Sequence, residues 1–238
     1  MSRVLLKLSG EALSGSLGKG FSEETCKGVA EEIKGLSDKG HEIAIVIGGG
    51  NFWRGRTSGD MDRVMADQIG MLATVMNCLF MSDMLRRFGL ETLVMTPFSC
   101  GTLAREFNRD SAVKNLKKGR IVFFAGGTGH PYFSTDTSTV LRALEIEADA
   151  ILLAKAVDGI YSADPRIDKT AVKYDRISID EVVEKKLNAL DLTASIMCME
   201  QRMPFIVFSL NEENSILNSV PDKDGNLPDS FKGTIVTV

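Results

Sequence analysis

Short apolar runs recur along the chain at residues 4–8, 43–47, 93–95, 121–125, 150–154 and 205–208, with another at 234–238. Most are continuous rather than alternating, which marks strands covered on both faces. Helical patterns lie between them. Ser22 caps one, with Glu23 and Glu24 in its first turn, Gly40 beyond its end, and Val29, Ile33 and Leu36 on its apolar face. A long pattern over 61–88 closes at Gly89 and carries Met65, Met71, Met76, Met81 and Met84, a stripe that reads as core or subunit interface. Further helices are predicted over 135–147, 178–187, 191–203 and 212–219. Strand and helix alternate throughout. That order predicts an α/β fold whose sheet is mostly parallel and covered on both faces, with one continuous sheet able to span the whole of 1–238.

The polar chemistry collects where the strands end. The run at 43–47 feeds into Gly48, Gly49 and Gly50, with Arg54 four residues on. Consecutive glycines expose backbone amides that cradle anions, and a guanidinium suits phosphate oxygens. The first strand ends in Lys7, Leu8, Ser9 and Gly10, a lysine delivered beside a Ser-Gly turn. The strand at 121–125 opens a second glycine-rich loop, from Gly126 to Asp136, with a helix cap as the alternative reading of Thr135 or Asp136. The strand at 150–154 leads to Lys155 and then to the turn-forming Asp158-Gly159 and Asp164-Pro165 pairs. In open α/β sheets ligands bind beyond the carboxyl ends of the strands, so four such segments predict a shared site for phosphate-bearing ligands. Neither GxxxxGK[ST] nor GxGxxG occurs.

Totals narrow the class. The chain has 238 residues, 44% hydrophobic and 25% charged, as in ordinary globular proteins. A net charge of −4 argues against non-specific nucleic-acid or membrane-surface binding. Cys26, Cys78, Cys100 and Cys198 are widely spaced, and His41 and His130 are the only histidines. No metal-ligand spacing results, and free thiols in a reducing, cytoplasmic compartment are expected. The start of the chain has no signal-peptide pattern, and no apolar run was expected to approach a membrane span.

Six stretches together make the chain resemble the amino acid kinase family: LLKLSGEAL (5–13), VIGGGNFWRG (46–55), MADQIGMLATVMN (65–77), GTGHPYFSTD (127–136), EIEAD (145–149) and VDGIYSADP (157–165). Lys-x-Ser-Gly with triple glycine points to the family alone. Asp67 with the GTGxPYFSTD loop is similar to its bacterial UMP-phosphorylating branch. His130 departs from the asparagine common there, which changes a contact more than a function.

The resemblance implies an open αβα sandwich assembled as a homohexamer, a trimer of dimers. It implies UMP mainly in the part before residue 150, with the subunit interface, and ATP mainly in 151–238. On matched positions Lys7, Leu8, Ser9, Gly10, Gly50, Arg54, Lys155, Tyr161 and Asp164 would meet ATP. Gly49, Asp67, Thr128, Gly129, His130, Pro131, Tyr132, Phe133, Ser134 and Thr135 would meet UMP, Asp67 through the ribose hydroxyls. Lys7, Arg54, Asp136 and Asp191 would carry catalysis. The implied reaction moves the ATP γ-phosphoryl group to UMP in pyrimidine nucleotide synthesis, with Mg²⁺ on the ATP phosphates and no protein metal cage. GTP and UTP are candidate effectors by the same resemblance. Two other readings stay open: a family kinase for an acyl or carbamoyl acceptor, and a nucleotide-storage protein without turnover.

Overall fold

The computed structural model describes residues 2–53, 60–222 and 226–238. Arg54, expected near the phosphates, lies outside them. Nine strands form one sheet. In chain order its elements begin with β1 (Arg3–Leu8), α1 (Gly10–Ser14), α2 (Glu23–Asp38), β2 (Glu42–Ile47), α3 (Arg63–Arg87), β3 (Thr92–Thr96), β4 (Arg105–Glu106) and α4 (Arg109–Leu116). There follow β5 (Ile121–Phe124), α5 (Thr135–Glu145), β6 (Ala150–Lys155), β7 (Ile160–Tyr161), β8 (Lys173–Tyr174), β9 (Arg176–Ser178), α6 (Ile179–Glu184), α7 (Leu192–Gln201), β10 (Phe205–Ser209) and β11 (Gly233–Thr237).

The sheet order is β4-β3-β5-β2-β1-β6-β10-β11-β9, with β7 and β8 forming a separate ribbon. Every pairing in the large sheet is parallel except β10 with β11. Strands from both sides of residue 150 therefore share one sheet, and β1 sits between β2 and β6.

The two-residue period of the strands divides the core. Val4, Leu6, Leu8, Ile43, Ile45 and Ile47 point to the layer of α2 and α3. Leu5, Ala44, Val46, Ile151 and Leu153 point to the layer of α4, α5, α6 and α7. Lys7 follows Leu5 by two and Lys155 follows Leu153 by two. Both lysines thus lie on the α5 and α7 side at the carboxyl ends of β1 and β6.

The predicted helix starts hold, except that α5 is capped by Ser134 and not by Thr135 or Asp136. Ser22, Ser134, Ser178 and Asp191 each accept an amide hydrogen bond at the start of α2, α5, α6 and α7. The helix predicted over 212–219 is absent; that segment is a succession of turns. Glu32 on α2 accepts from the amides of Ile216 and Leu217 at 2.8 and 3.2 Å, replacing the intrahelical pattern those groups would otherwise need.

One expectation is corrected by α3. By length and composition this helix is apolar enough to cross a membrane, contrary to the reading of the sequence. Inside the fold its inner face packs Val75, Cys78, Met81 and Leu85 into the core. Its outer face leaves Met65, Leu72 and Met76 about half exposed, at 52%, 54% and 47%.

Candidate active site

Beyond the ends of β1, β2 and β5 lies a cavity of about 340 Å³, lined by Lys7, Ser9, Gly10, Gly48, Gly49, Gly50, Asp67, Thr128, His130, Phe133, Ser134 and Thr135. Three of the four polar segments read from the sequence thus meet in one space. The fourth, Lys155 with Tyr161 and Asp164, lines an adjoining pocket of about 230 Å³ with Lys185, Lys186 and Asn188.

Between the two stands a buried charge cluster. Lys7 Nζ is 3.0 Å from Asp136 Oδ1. That is an ion-pair distance, but the alignment is not that of a hydrogen bond, so this buried oxygen has no hydrogen-bond donor among the described residues. Burial pushes the Asp136 carboxyl up, yet the Lys7 and Lys155 ammonium groups outweigh it and hold Asp136 below the usual carboxylate range. Burial pulls the Lys155 ammonium below its ordinary value, and Asp136 and Asp191 only partly oppose this. The Lys155 ammonium also donates to the carbonyl of Ala189.

Asp191 has two structural tasks, of which the sequence reading foresaw only the first. It is the N-cap of α7, accepting from the Ala194 amide at 3.0 Å. It also accepts from the hydroxyl of Ser134, the N-cap of α5, and from Thr137 Oγ1 at 3.2 Å. The amino ends of two helices, each bearing a partial positive charge, are thereby pinned side by side. The cap pattern Asp-Leu-Thr-Ala was legible in the sequence; the cross-link to α5 was not.

Asp67 faces the second glycine-rich loop. Its Oδ2 accepts from Arg63 Nε and from the Tyr132 amide, each at 2.8 Å. Tyr132 adopts φ 72°, a left-handed backbone unusual for a side chain of its size, and the Asp67 bond helps hold it there. Gly129 backs this loop against the Pro97 ring. Pro131 and Tyr132 do not line the cavity, whereas His130 and Phe133 do.

Leu8 contributes no side chain: it is fully buried in the core, and its carbonyl accepts from the Gly48 amide at 3.0 Å. Tyr161 donates to Asp158 Oδ1 at 2.8 Å, and the Asp158 carboxylate also takes Lys173 at 3.1 Å. The hydrogen bond to Asp158 pushes the Tyr161 phenol up. Asp164 pairs with Arg166 at 2.9 Å on the surface.

Three buried residues of α3 and its approach were not singled out from sequence. Thr74 Oγ1 accepts from the Gly126 amide at 2.7 Å. Asn77 Nδ2 donates to the Gly48 carbonyl at 2.6 Å, and Asn51 and Asn77 bond reciprocally. For Thr74 and Asn77 the only signal was polarity inside an apolar helical stretch; Asn51 lies in the loop that follows the triple glycine. Burial raises the thiols of Cys26 to about 11 and of Cys78 and Cys198 to about 12, so these are packing residues, not nucleophiles.

The model of the Amino acid kinase family matches residues 2–209. The chain belongs to the amino acid kinase family. Among solved structures it is similar to the UMP kinase of Bacillus anthracis, at 36% identity and a TM-score of 0.90, covering 99% of this chain and 96% of that one. It is similar to the UMP kinase of Ureaplasma parvum at 33% identity and a TM-score of 0.90, covering 100% and 99%. The uridylate kinase of Archaeoglobus fulgidus matches at 26% identity and a TM-score of 0.73, covering both chains fully. Family membership accounts for a mostly parallel sheet between helical layers and for strand ends that carry lysine and glycine.

Proposed function

We propose that this amino acid kinase transfers the γ-phosphoryl group of ATP to UMP, giving UDP and ADP. The observation that carries the proposal is the single cavity shared by Lys7, the 48–50 loop, Asp67, Thr128, His130 and Phe133 to Thr135, set beside the Lys155 pocket. Two phosphate-bearing ligands entering from those two sides would meet at Lys7. The likeness to two bacterial UMP kinases over nearly the full length supports UMP as the acceptor.

The acceptor needs no strong base. A phosphate monoester has its second pKa near 6, so the attacking oxygen is already anionic at neutral pH. The barrier is the meeting of two anions, which positioning and positive charge must offset. In this reading Lys7, Ser9, Gly10, Gly50 and Arg54 hold the ATP phosphates. Lys155, Tyr161 and Asp164 hold the rest of ATP, and Leu8 takes part only through its backbone. Gly49 and the loop Thr128, Gly129, His130, Pro131, Tyr132, Phe133, Ser134 and Thr135 hold UMP, with Asp67 accepting from the ribose hydroxyls. Asp136 orients the Lys7 ammonium, and Asp191 keeps the amino ends of α5 and α7 aimed at the reacting phosphates.

The residues fit an Mg²⁺ held mainly by phosphate oxygens. Among the described residues no group of three or more Asp, Glu, His or Cys side chains could hold a metal by itself. The Asp136 oxygen without a hydrogen-bond donor suits a water on such an ion. When bound, Mg²⁺ would screen the charge on the β- and γ-phosphates.

Self-association into a homohexamer belongs to the same reading, supported by the half-exposed apolar residues on the outer face of α3. A cytoplasmic location is supported by four free cysteines. GTP and UTP are the effectors to test first.

The deciding experiment is ADP release with Mg-ATP and UMP, CMP, dUMP, AMP or no acceptor. The expected result is turnover with UMP alone. Equal turnover with CMP would remove base selection by the 128–135 loop. Equal turnover with dUMP would remove the assigned role of Asp67. Tight ATP binding without turnover would favour the storage reading.

A further inference from the structure

Asn77 lies in the middle of α3 with no exposure, close to Val75, Cys78 and Met81 in the sequence of a helix otherwise built for the core. Asparagine is a poor helix former, and a buried amide is costly unless every polar atom is used. Here they are used. Asn77 Nδ2 donates to the Gly48 carbonyl at 2.6 Å and to Asn51 Oδ1 at 2.7 Å, while Asn77 Oδ1 accepts from Asn51 Nδ2 at 3.0 Å. Asn51, equally buried, gives its remaining hydrogen to the Gly20 carbonyl at 2.9 Å. Each amide nitrogen faces a backbone carbonyl, so neither side chain can be flipped without breaking all three of its bonds.

The pair also explains Gly10. A Cβ there would stand 2.3 Å from the Gly48 carbonyl oxygen, 2.5 Å from Asn51 Oδ1 and 2.9 Å from Asn77 Nδ2. The turn after β1, the loop after β2 and α3 are therefore knotted at one point. The knot has a direction. In a trans peptide the carbonyl and the following N–H point opposite ways. Asn77 draws the Gly48 carbonyl toward α3, which turns the Gly49 amide away from the helix. The Gly49 carbonyl accepts from the amides of Phe52 and Trp53 at 3.0 Å, which fixes the Gly50 amide in turn.

We infer that Asn77, together with Asn51, is a positioning residue of the phosphoryl-transfer site, orienting the amides of the 48–50 loop through the Gly48 carbonyl. The inference rests on the proposed phosphoryl transfer to UMP. A leucine at 77 would satisfy the core; the amide serves the loop.

The test is steady-state kinetics with Mg-ATP and UMP on the full chain, Asn77→Ser and Asn51→Ser, with thermal melting of each. Ser82→Ala is the control. It removes one part-buried side-chain bond, 2.8 Å to Thr92 Oγ1, from the same helix. The serine variants are expected to lose about 10- to 100-fold in kcat with the UMP KM changed by less than about threefold, as misplacement of a loop predicts. Ser82→Ala, at a similar loss of Tm, is expected to keep kcat. The inference is overturned if both asparagine variants keep kcat within about twofold, or if Ser82→Ala loses kcat equally, since stability alone would then explain the loss. Loss of cooperative melting in both serine variants also overturns it, because the pair would then be a folding device. A wild-type chain that releases no ADP with UMP overturns the reaction and this inference together. An active wild type with unaffected variants overturns only the inference.

Discussion

The loop after β2 and the loop after β5 border the same cavity, yet they use glycine differently. Gly48, Gly49 and Gly50 keep ordinary negative-φ backbone, and Gly126, Gly127 and Gly129 adopt φ of 78°, 61° and 83°. A Cβ on Gly49 would meet Ala73 Cβ and the Gly70 carbonyl, each at 2.9 Å. A Cβ on Gly127 would meet nothing within 4 Å. The first loop needs glycine for room, because α3 and the turn after β1 press on it. The second needs glycine for handedness, and at Gly127 for that alone; at Gly126 and Gly129 a Cβ would also meet Phe98 at 2.8 Å and Pro97 at 2.9 Å. The lesson is that a run of glycines at a strand end has at least two physical causes, and only the neighbours distinguish them.

The sharpest way to break this comparison is Gly10→Ala, where a methyl would overlap the Gly48 carbonyl and both asparagines. Denaturant unfolding is expected to show a loss of about 3 kcal/mol or more. A loss under about 1 kcal/mol would mean that the crowding relaxes easily. Next comes Lys7→Ala, which removes the cation lying between the two loops and the Lys155 pocket. Its kcat is expected to fall at least about 100-fold with little change of fold. Asp136→Asn should move kcat in the same direction. Unchanged turnover in Lys7→Ala would sink its assignment.

The acid limb of stability comes third. Asp136 is held below the usual carboxylate range in the folded state, so its contribution is present above the unfolded carboxylate pKa. It is lost as pH falls through the lower folded value. Melting followed from pH 6 downward, a range chosen on the order of the ordinary carboxylate pKa values, should show a shallower decline in Asp136→Asn than in wild type; parallel curves would refute the linkage. The smallest effect belongs to Gly127→Ala, expected to cost about 1–2 kcal/mol through left-handed strain alone. A D-alanine at the same position should cost nothing, and equal destabilisation by both enantiomers would show that space, not handedness, is limiting.

Much of this was legible because each signal is local. Continuous apolar runs gave the inner strands, and Ser22, Ser178 and Asp191 marked helix starts by side-chain chemistry that acts within three residues, while the cap of α5 fell one residue before the pair read for it. The edge strand β9 escaped notice because only Ile177 of its three residues is buried. The turns at 212–219 imitated a helix because the carboxylate that holds them, Glu32, lies about 180 residues away in sequence. The same contrast runs through the candidate site. Lys7 and the glycine loops announce themselves by residue type beside strand ends, and Asp67, inside α3, stood out only through the family resemblance. Asn51, Asn77 and Thr74 act on carbonyls and amides of distant segments, a partnership that periodicity does not encode. Asp191 was read as a helix opening and, by resemblance, as an acid near the phosphates; its bonds to Ser134 and Thr137 also make it a tie between helices.

The position of β1 has a consequence for synthesis. Val4 pairs with Ile43 on one side and with Ala150 on the other. Half of the central ladder therefore waits for a strand made nearly 150 residues later. During that delay α3 emerges before β5, the strand carrying Phe123 into the core layer that α3 shares. At roughly 5–20 residues per second that interval is on the order of seconds. For that time a helix apolar enough to enter a bilayer stands without much of its cover, so the nascent chain is most exposed to aggregation and chaperone capture between the completion of α3 and the arrival of β6.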